Sequence, residues 1–531
     1  MRRRLLCCVL APAFITTACT SLAGLTSGAD ASTDGPSVAP DSGALEAGDT
    51  RVGEDSPSGD ASDGGGPDGA GDSAAASDAP DGFVCDPSGM PSESPCVITE
   101  AFGVFVSPDG MDSAPGTRLA PKQTVNAAID AAKAQGLDRV YACGGTYPVS
   151  VVVSASTNRD GMSLFGGLSC AAWTYDPSQY VVVAPSSGYA LQLDSLTTGF
   201  SVSDFGFVSP ASASPGESSI AVFANASQNV SLTRVSVVSG EGAAGTIGTV
   251  LSNYSSAPAM GASAGSGGKG GGPNTCADGT VSTGGAGSLP NGLAGAGSST
   301  PTVGSPNAGP TGPTMCSAGG AGANGLANPG GKGAQASGNL SASGWATEAG
   351  TNGNDGNPGQ GGGGGGANPV LLGGGGGGAG GCGGGGGSGG QTGGSSICIA
   401  SFGSALTLSS CTLMAANAGN GGPGAGGDRG QAGAAGGSGA CSGGSGGAGA
   451  GGSGGGGGAG GASIGILWSG TTPPTIESIP VASQQSVPGI SIGAAGLPGS
   501  MGMGALATGT GNPGQGGTVG SAGVAMAVTN M

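Results

Sequence analysis

Four stretches of this chain share one template, and that template narrows the possible folds more than any other feature. Each stretch carries three apolar-x-apolar pairs separated by two gaps. In 190–207 the pairs are Leu191/Leu193, Phe200/Val202 and Phe205/Phe207, and in 219–237 they are Ile220/Val222, Val230/Leu232 and Val235/Val237. In 396–414 they are Ile397/Ile399, Leu406/Leu408 and Cys411/Leu413. In 463–481 they are Ile464/Ile466, Pro474/Ile476 and Ile479/Val481, where Pro474 alone breaks the pattern. Apolar residues at a period of two mark strands, with one side chain in and the next out.

Three short strands cannot bury their apolar sides alone, but stacked repeats bury one continuous column. The bend between the second and third pairs is only two residues, for example Ser409-Ser410. That suits a tight corner between strands of a coil better than an antiparallel hairpin ladder. The expected fold is an all-β solenoid, a parallel β-helix, with a β-sandwich carrying irregular loops as the competing arrangement. Corner residues should then stack. Asp204, Arg234, Ser410 and Ser478 occupy one template position, so Asp204 and Arg234 are expected about 4.8 Å apart as a surface ion pair.

Residues 1–19 read as a signal, with Arg2, Arg3 and Arg4 ahead of an apolar run over 5–15 that is too short to span a bilayer. No later run of about 18 apolar residues offers a transmembrane helix. Thr16-Thr17-Ala18-Cys19 resembles a bacterial lipobox, although Thr16 stands where Leu or Val is usual. The resemblance implies that Cys19 is lipidated and that a membrane is the chain's partner through that anchor. Thr20, rather than Asp, follows the cysteine and implies delivery to the outer membrane or cell surface. An ordinary signal peptide cut near Ala23 or Gly24 is the other reading. Residues 20–82 hold thirteen Asp/Glu against one base, Arg51, a net of −12 out of −18 for the chain, with no aromatic residue. Such a segment cannot bury enough apolar surface to offset ordering, so it reads as a disordered acidic tether. The acidic balance argues against nucleic acid, which needs a basic patch.

Ten of the thirteen cysteines remain after Cys7, Cys8 and Cys19 are set aside. An even count in an exported chain reads as disulfides, although sequence does not fix their connectivity. Cys85 with Cys96 would close a small cap, and Cys143 with Cys170 would join neighbouring passes. Cys276 with Cys316 would close a glycine-rich loop, and Cys382 would meet Cys441. Cys398 should point outward and Cys411 inward, which makes them poor partners. The chain has no histidine and no C-x-x-C, so a zinc site is not expected.

Residues 83–240 are the most varied. Val104 and Val106 mark a strand, and a helix is expected over 124–135. Thr124 is its N-cap, Val125, Ala128, Ile129 and Ala132 form one stripe, and Gly136 stops it. The run VFVSPDGMDSAPGT, TVNAAIDAA and RVYACGGTY resembles the N-terminal capping region of pectate-lyase-like right-handed parallel β-helix proteins. SLFGGLSC with Trp173 resembles one of their rungs. The resemblance implies a right-handed coil with a capping helix; it covers 83–240 and the rungs at 396–414 and 463–481, which lie in the rung blocks 396–418 and 462–493.

Glycine-rich insertions occupy 241–395 and 419–461, and a thinner glycine-rich tail occupies 494–531, where 524–528 could close the fold. Both insertions leave the template after its third strand, so they should emerge at one corner and lie side by side. Glycine recurs at every third place from Gly421 to Gly439, slips, and recurs from Gly443 to Gly461; Gly350 to Gly365 repeats likewise. A three-residue period fits a polyproline-II-like helix whose neighbours approach closely, with disordered glycine loops as the alternative. These arms resemble the PGRS-type glycine-rich repeat proteins.

Little here promises catalysis. The acids and bases of the template stretches, Asp194, Asp204, Arg234 and Glu477, do not gather at one column. A Ser-His-Asp triad is impossible without histidine, and Lys269 and Lys332 are each followed by Gly, which fails the phosphate-loop pattern. Asp109 and Asp112 could hold calcium, but a capping turn explains them better, and no cofactor is expected. The reading is a non-catalytic surface lipoprotein that is adhesive, glycan-binding or structural, with an extracellular polysaccharide or surface protein as its other partner. A carbohydrate-active β-helix enzyme, a polysaccharide lyase or hydrolase, is the alternative.

Overall fold

The computed structural model describes residues 85–263, 268–289, 295–300, 317–368, 373–506, 508–509 and 511–531. The expected signal and tether, with Cys19, lie outside the described residues, and so does Cys316. The described part is mostly β with parallel sheets, and Val125–Ala134 is its one α-helix.

Three sheets carry the coil. The first contains Gly103–Val106, Arg139–Cys143, Met162–Leu168, Phe200–Ser203, Val230–Thr233, Leu406–Ser409 and Thr475–Ile476, in that spatial order. The second contains Gly145–Tyr147, Val181–Val183, Phe205–Val208, Ser236–Ser239, Thr412–Ala415 and Ile490–Ser491. The third contains Val151–Ser154, Leu191–Asp194, Ser219–Asn225, Ser396–Phe402, Ser463–Ser469 and Ala525–Asn530. From Arg139 onward the chain visits the sheets in the fixed order first, second, third, and each visit pairs in parallel with the one before. Val230 thus lies between Phe200 and Leu406, and Val237 between Phe207 and Leu413. This arrangement fits the β-helix expected from the template.

The template side chains pack between the sheets. Leu191, Leu193, Phe200, Val202, Phe205, Phe207, Leu232, Leu408 and Ile466 share one buried core. Two details differ from the expectation. In the third sheet the first pair stays together at Leu191/Leu193 but splits in the three later stretches. Val222, Ile399 and Ile466 join the core, whereas Ile220, Ile397 and Ile464 join a second apolar cluster outside it. The residue between them turns inward too, so Cys398 is buried in the core and does not point outward. Both faces of this sheet are covered, so strict alternation is not required of it.

The second difference is the last corner. Asp204, Arg234 and Ser410 each have positive φ (61°, 53° and 53°), one left-handed residue per corner. In the last pass two consecutive residues do, Glu477 (47°) and Ser478 (66°). Two left-handed residues make a hairpin turn of the primed type. Ile476 and Ile479 therefore pair antiparallel, Ile479 is exposed, and the second sheet receives its strand only at Ile490–Ser491.

The helix caps the start of the coil. Thr124 Oγ1 accepts from the Ala127 amide, and Asp112 accepts from the amides of Gln123 and Thr124. Gly136 (φ 72°) and the Leu137 amide bonded to the Ala132 carbonyl end the helix. Val125, Ala128, Ile129 and Ala132 are buried against the core.

The glycine-rich segments are folded. The slip between Gly439 and Gly443 is where the chain reverses. Gly446, Gly449, Gly452, Gly455, Gly458 and Gly461 donate to Ala434, Gln431, Asp428, Ala425, Gly422 and Gly419, one bond per triplet in opposite directions. Segment 443–462 has six neighbours. It donates to 348–366, 418–440 and 512–524, and it accepts from 373–394, 317–337 and 494–506. Each residue of a triplet faces a different pair of neighbours, so the backbone groups are satisfied without any bond inside the segment. With neighbours on every side there is no room for Cβ atoms at the triplet glycines. The segments therefore lie side by side, joined by one backbone bond per triplet to each neighbour.

Candidate functional site

The corner between the first and second sheets places Asp204 and Arg234 one strand apart, because Thr233 lies beside Ser203 in parallel register. The pair is bidentate. Arg234 Nε donates to Asp204 Oδ1 at 2.7 Å and Nη2 to Oδ2 at 2.8 Å. It is also less exposed than a simple surface pair, since the Asp204 side chain is 12% exposed and that of Arg234 36%. The hydrogen bond to Asp204 holds Arg234 above its ordinary range. The Tyr175 hydroxyl donates to Asp204 Oδ1 at 3.2 Å, and burial first, then the charge of Asp204, raises that phenol. Arg234 Nη2 further reaches Ser92 Oγ at 3.3 Å, which ties the disulfide-closed cap to the corner.

A cleft of about 190 Å³ opens over this pair, lined by Gln179, Tyr180, Asp204, Arg234 and Ser236 among others. Tyr180 is 70% exposed. Its loop, 169–180, is a long connection between the first and second sheets where the next passes have a corner of one or two residues. Tyr175, Gln179, Tyr180 and Ser92 escape the sequence reading because the template begins only at residue 190, after that loop. The signal that could have found them is the length and aromatic content of the stretch between Gly167 and Val181.

Among the described residues, Asp194, Glu477, Asp160 and Asp112 lie at separate places in the fold. Asp194 accepts from Asn225 Nδ2 at 2.7 Å on the third sheet, away from the corner. Glu477 accepts from the Ser410 amide at the final hairpin. Asp160 accepts from the amides of Thr197, Thr198 and Gly199 and from the Thr197 hydroxyl. Burial opposes its ionisation, but those four bonds hold it well below the usual carboxylate range. Asp112 caps the helix entry. The outer face of the third sheet is closed by Ile220, Phe223, Ile397, Ala400, Ile464 and Leu467 packed with Leu340, Tyr189 and Trp345. The hairpin of Asn339–Ser341 and Gly344–Ala346 supplies Leu340 and Trp345.

Two of the four expected cysteine pairings are present and the other two are corrected. Cys85 joins Cys96 and Cys143 joins Cys170. Cys276 joins Cys382, not Cys316, and Cys441 is disulfide-bonded without Cys382. Segment 373–394 runs through the middle of the glycine layers, so Cys382 meets the 274–283 hairpin region rather than the outer 441 turn. Cys398 and Cys411 are free thiols, and burial pushes Cys398 up to about 11.

No protein-family model matches this chain, and no curated protein matches it. Among solved structures, a rhamnogalacturonan lyase is similar over 28% of this chain and 38% of its own length, at 16% identity and a TM-score of 0.17. The chain thus spans well under half of that lyase, and a likeness this slight bears on neither fold nor activity.

Proposed function

We propose that this chain is a right-handed parallel β-helix with polyproline-II-like glycine layers, exported and anchored through lipid on Cys19, and that it serves as a non-catalytic glycan-binding module of the cell surface. The observation that carries the reading is the cleft over Asp204 and Arg234. It offers an exposed aromatic ring beside a fixed set of planar polar groups, the combination that a sugar ring needs for one apolar face and several hydroxyls. Three described disulfides favour an oxidising compartment. Binding without turnover follows from the state of the charged groups. Asp204 has both oxygens engaged and Arg234 is held cationic, so neither is free to accept or deliver a proton.

The test is co-sedimentation of the exported protein with insoluble cell-wall and extracellular polysaccharides, with calcium present and the supernatant assayed for released sugars. The reading predicts binding with no release. Release of unsaturated or reducing ends would replace it with a carbohydrate-active enzyme, and failure to bind any polysaccharide would leave a structural or protein-binding role.

A further inference from the structure

The corner cleft carries an inference about the charge of its ligand, and it rests on the glycan-binding reading above. We infer that the cleft over Asp204 and Arg234 takes a neutral sugar residue, stacked on Tyr180, rather than a uronate.

Arg234 is the cation lining this cleft, and no lysine lines it. A uronate carboxylate is recognised best by a guanidinium fork offering two parallel N–H groups. Here Nε and Nη2 are already committed to the two oxygens of Asp204, and Nη2 also reaches Ser92. The pair is internally neutral. A negative charge also borders the cleft through Gln179: Asp176 accepts from Gln179 Nε2 at 3.3 Å, and its bonds to the Ser178 hydroxyl and amide keep it below the usual carboxylate range. An incoming carboxylate would meet an occupied fork and a like charge.

What remains open suits hydroxyl groups. The hydroxyls of Tyr180 and Ser236 have no hydrogen-bond partner among the described residues, and each can both donate and accept. Tyr180 is 70% exposed, and its ring can lie under the C–H face of a pyranose. A volume of about 190 Å³ equals roughly six waters at about 30 Å³ each, about one hexose residue. The site would therefore read one ring of a longer polymer, and affinity would come from repeated engagement along it.

Native affinity electrophoresis of the exported protein separates the outcomes. Gels contain either a neutral β-glucan, galactan or mannan, or polygalacturonate or alginate. The inference predicts retardation by at least one neutral polymer and by neither polyuronate. Retardation should be unchanged between low and high salt, because no ion pair forms. Tyr180→Ala should weaken it roughly tenfold, with Tyr180→Trp restoring it. Tyr180 is largely outside the core, so circular dichroism of both variants should match the parent. Retardation by polyuronates alone would overturn the inference and leave glycan binding standing. Retardation by neutral polymers that ignores Tyr180→Ala would also overturn it, by moving the site elsewhere. No retardation by any polymer would remove the glycan-binding reading itself.

Discussion

Gly359→Ala isolates the packing of the glycine layers. Gly359 is buried, and its amide donates to the Gly381 carbonyl at 2.7 Å. A methyl group there would lie 2.5 Å from the carbonyl carbon of Gly447 and closer still to its oxygen. Carbon atoms rest about 3.5–4.0 Å apart, so segment 443–462 would have to retreat by about 1 Å. That retreat strains the bonds from Gly447 to Gln360 (2.8 Å) and from Gly381 to Gly447 (3.0 Å). Overpacking costs about 1–3 kcal/mol, and two weakened bonds add about 0.5–1.5 kcal/mol each. The expected loss is about 3 kcal/mol. Gly272→Ala is the control, because nothing lies within 4 Å of a methyl group there. It should be neutral or gain up to about 1 kcal/mol through the unfolded chain. Urea unfolding with disulfides intact, followed by circular dichroism, measures both. If Gly359→Ala changes stability by less than about 0.5 kcal/mol, the close-packed account of the glycine segments is wrong.

Three other outcomes follow from the same coordinates. Arg234→Met should cost about 2 kcal/mol, because it strands the mostly buried Asp204 carboxylate, while adding Asp204→Asn should recover part of that loss in a double-mutant cycle. The folded pKa of Asp160 lies below its ordinary value. Its contribution is therefore complete above about pH 4 and is lost as pH falls through the folded value. Asp160→Asn should melt lower than the parent at pH 7, and the gap should narrow on acidification. The Cys398 thiol, buried and pushed up to about 11, should resist iodoacetamide at pH 8 in the folded protein and react after unfolding, as read by peptide mapping.

The strands of the coil were legible because their side chains alternate at short range. Val230/Leu232 and Leu406/Leu408 pair in the register the template implied. The split at Ile397 and Cys398 was not legible, because it depends on a hairpin at 339–346 that covers the outer face from a distant part of the chain. The last corner was missed because the template cannot tell one left-handed residue from two, and Glu477-Ser478 forms a hairpin where Asp204 and Arg234 form a bend. The triplet glycines announced their period, and the slip near Gly443 marks a reversal whose partners only three dimensions reveal. Disulfide connectivity across those layers has no local signal, so the Cys276–Cys382 bond is not predictable from the spacing of the cysteines. At the corner, Asp204 and Arg234 could be read from template position. Tyr175 and Tyr180 could not, because they come from a loop that the repeat does not describe.

The glycine-rich segments are as folded as the coil they leave, their backbone groups bonded from segment to segment. Hydrogen–deuterium exchange tests this directly. Gly447, Ala450, Ser453 and Gly456 donate to Gln360, Asn357, Asn354 and Thr351, and Gly449, Gly452 and Gly455 donate to Gln431, Asp428 and Ala425. Peptides covering 443–462 should therefore exchange as slowly as those covering Ser396–Phe402, over hours or longer. Exchange of 443–462 at the rate of a free chain, while Ser396–Phe402 stays protected, would contradict it.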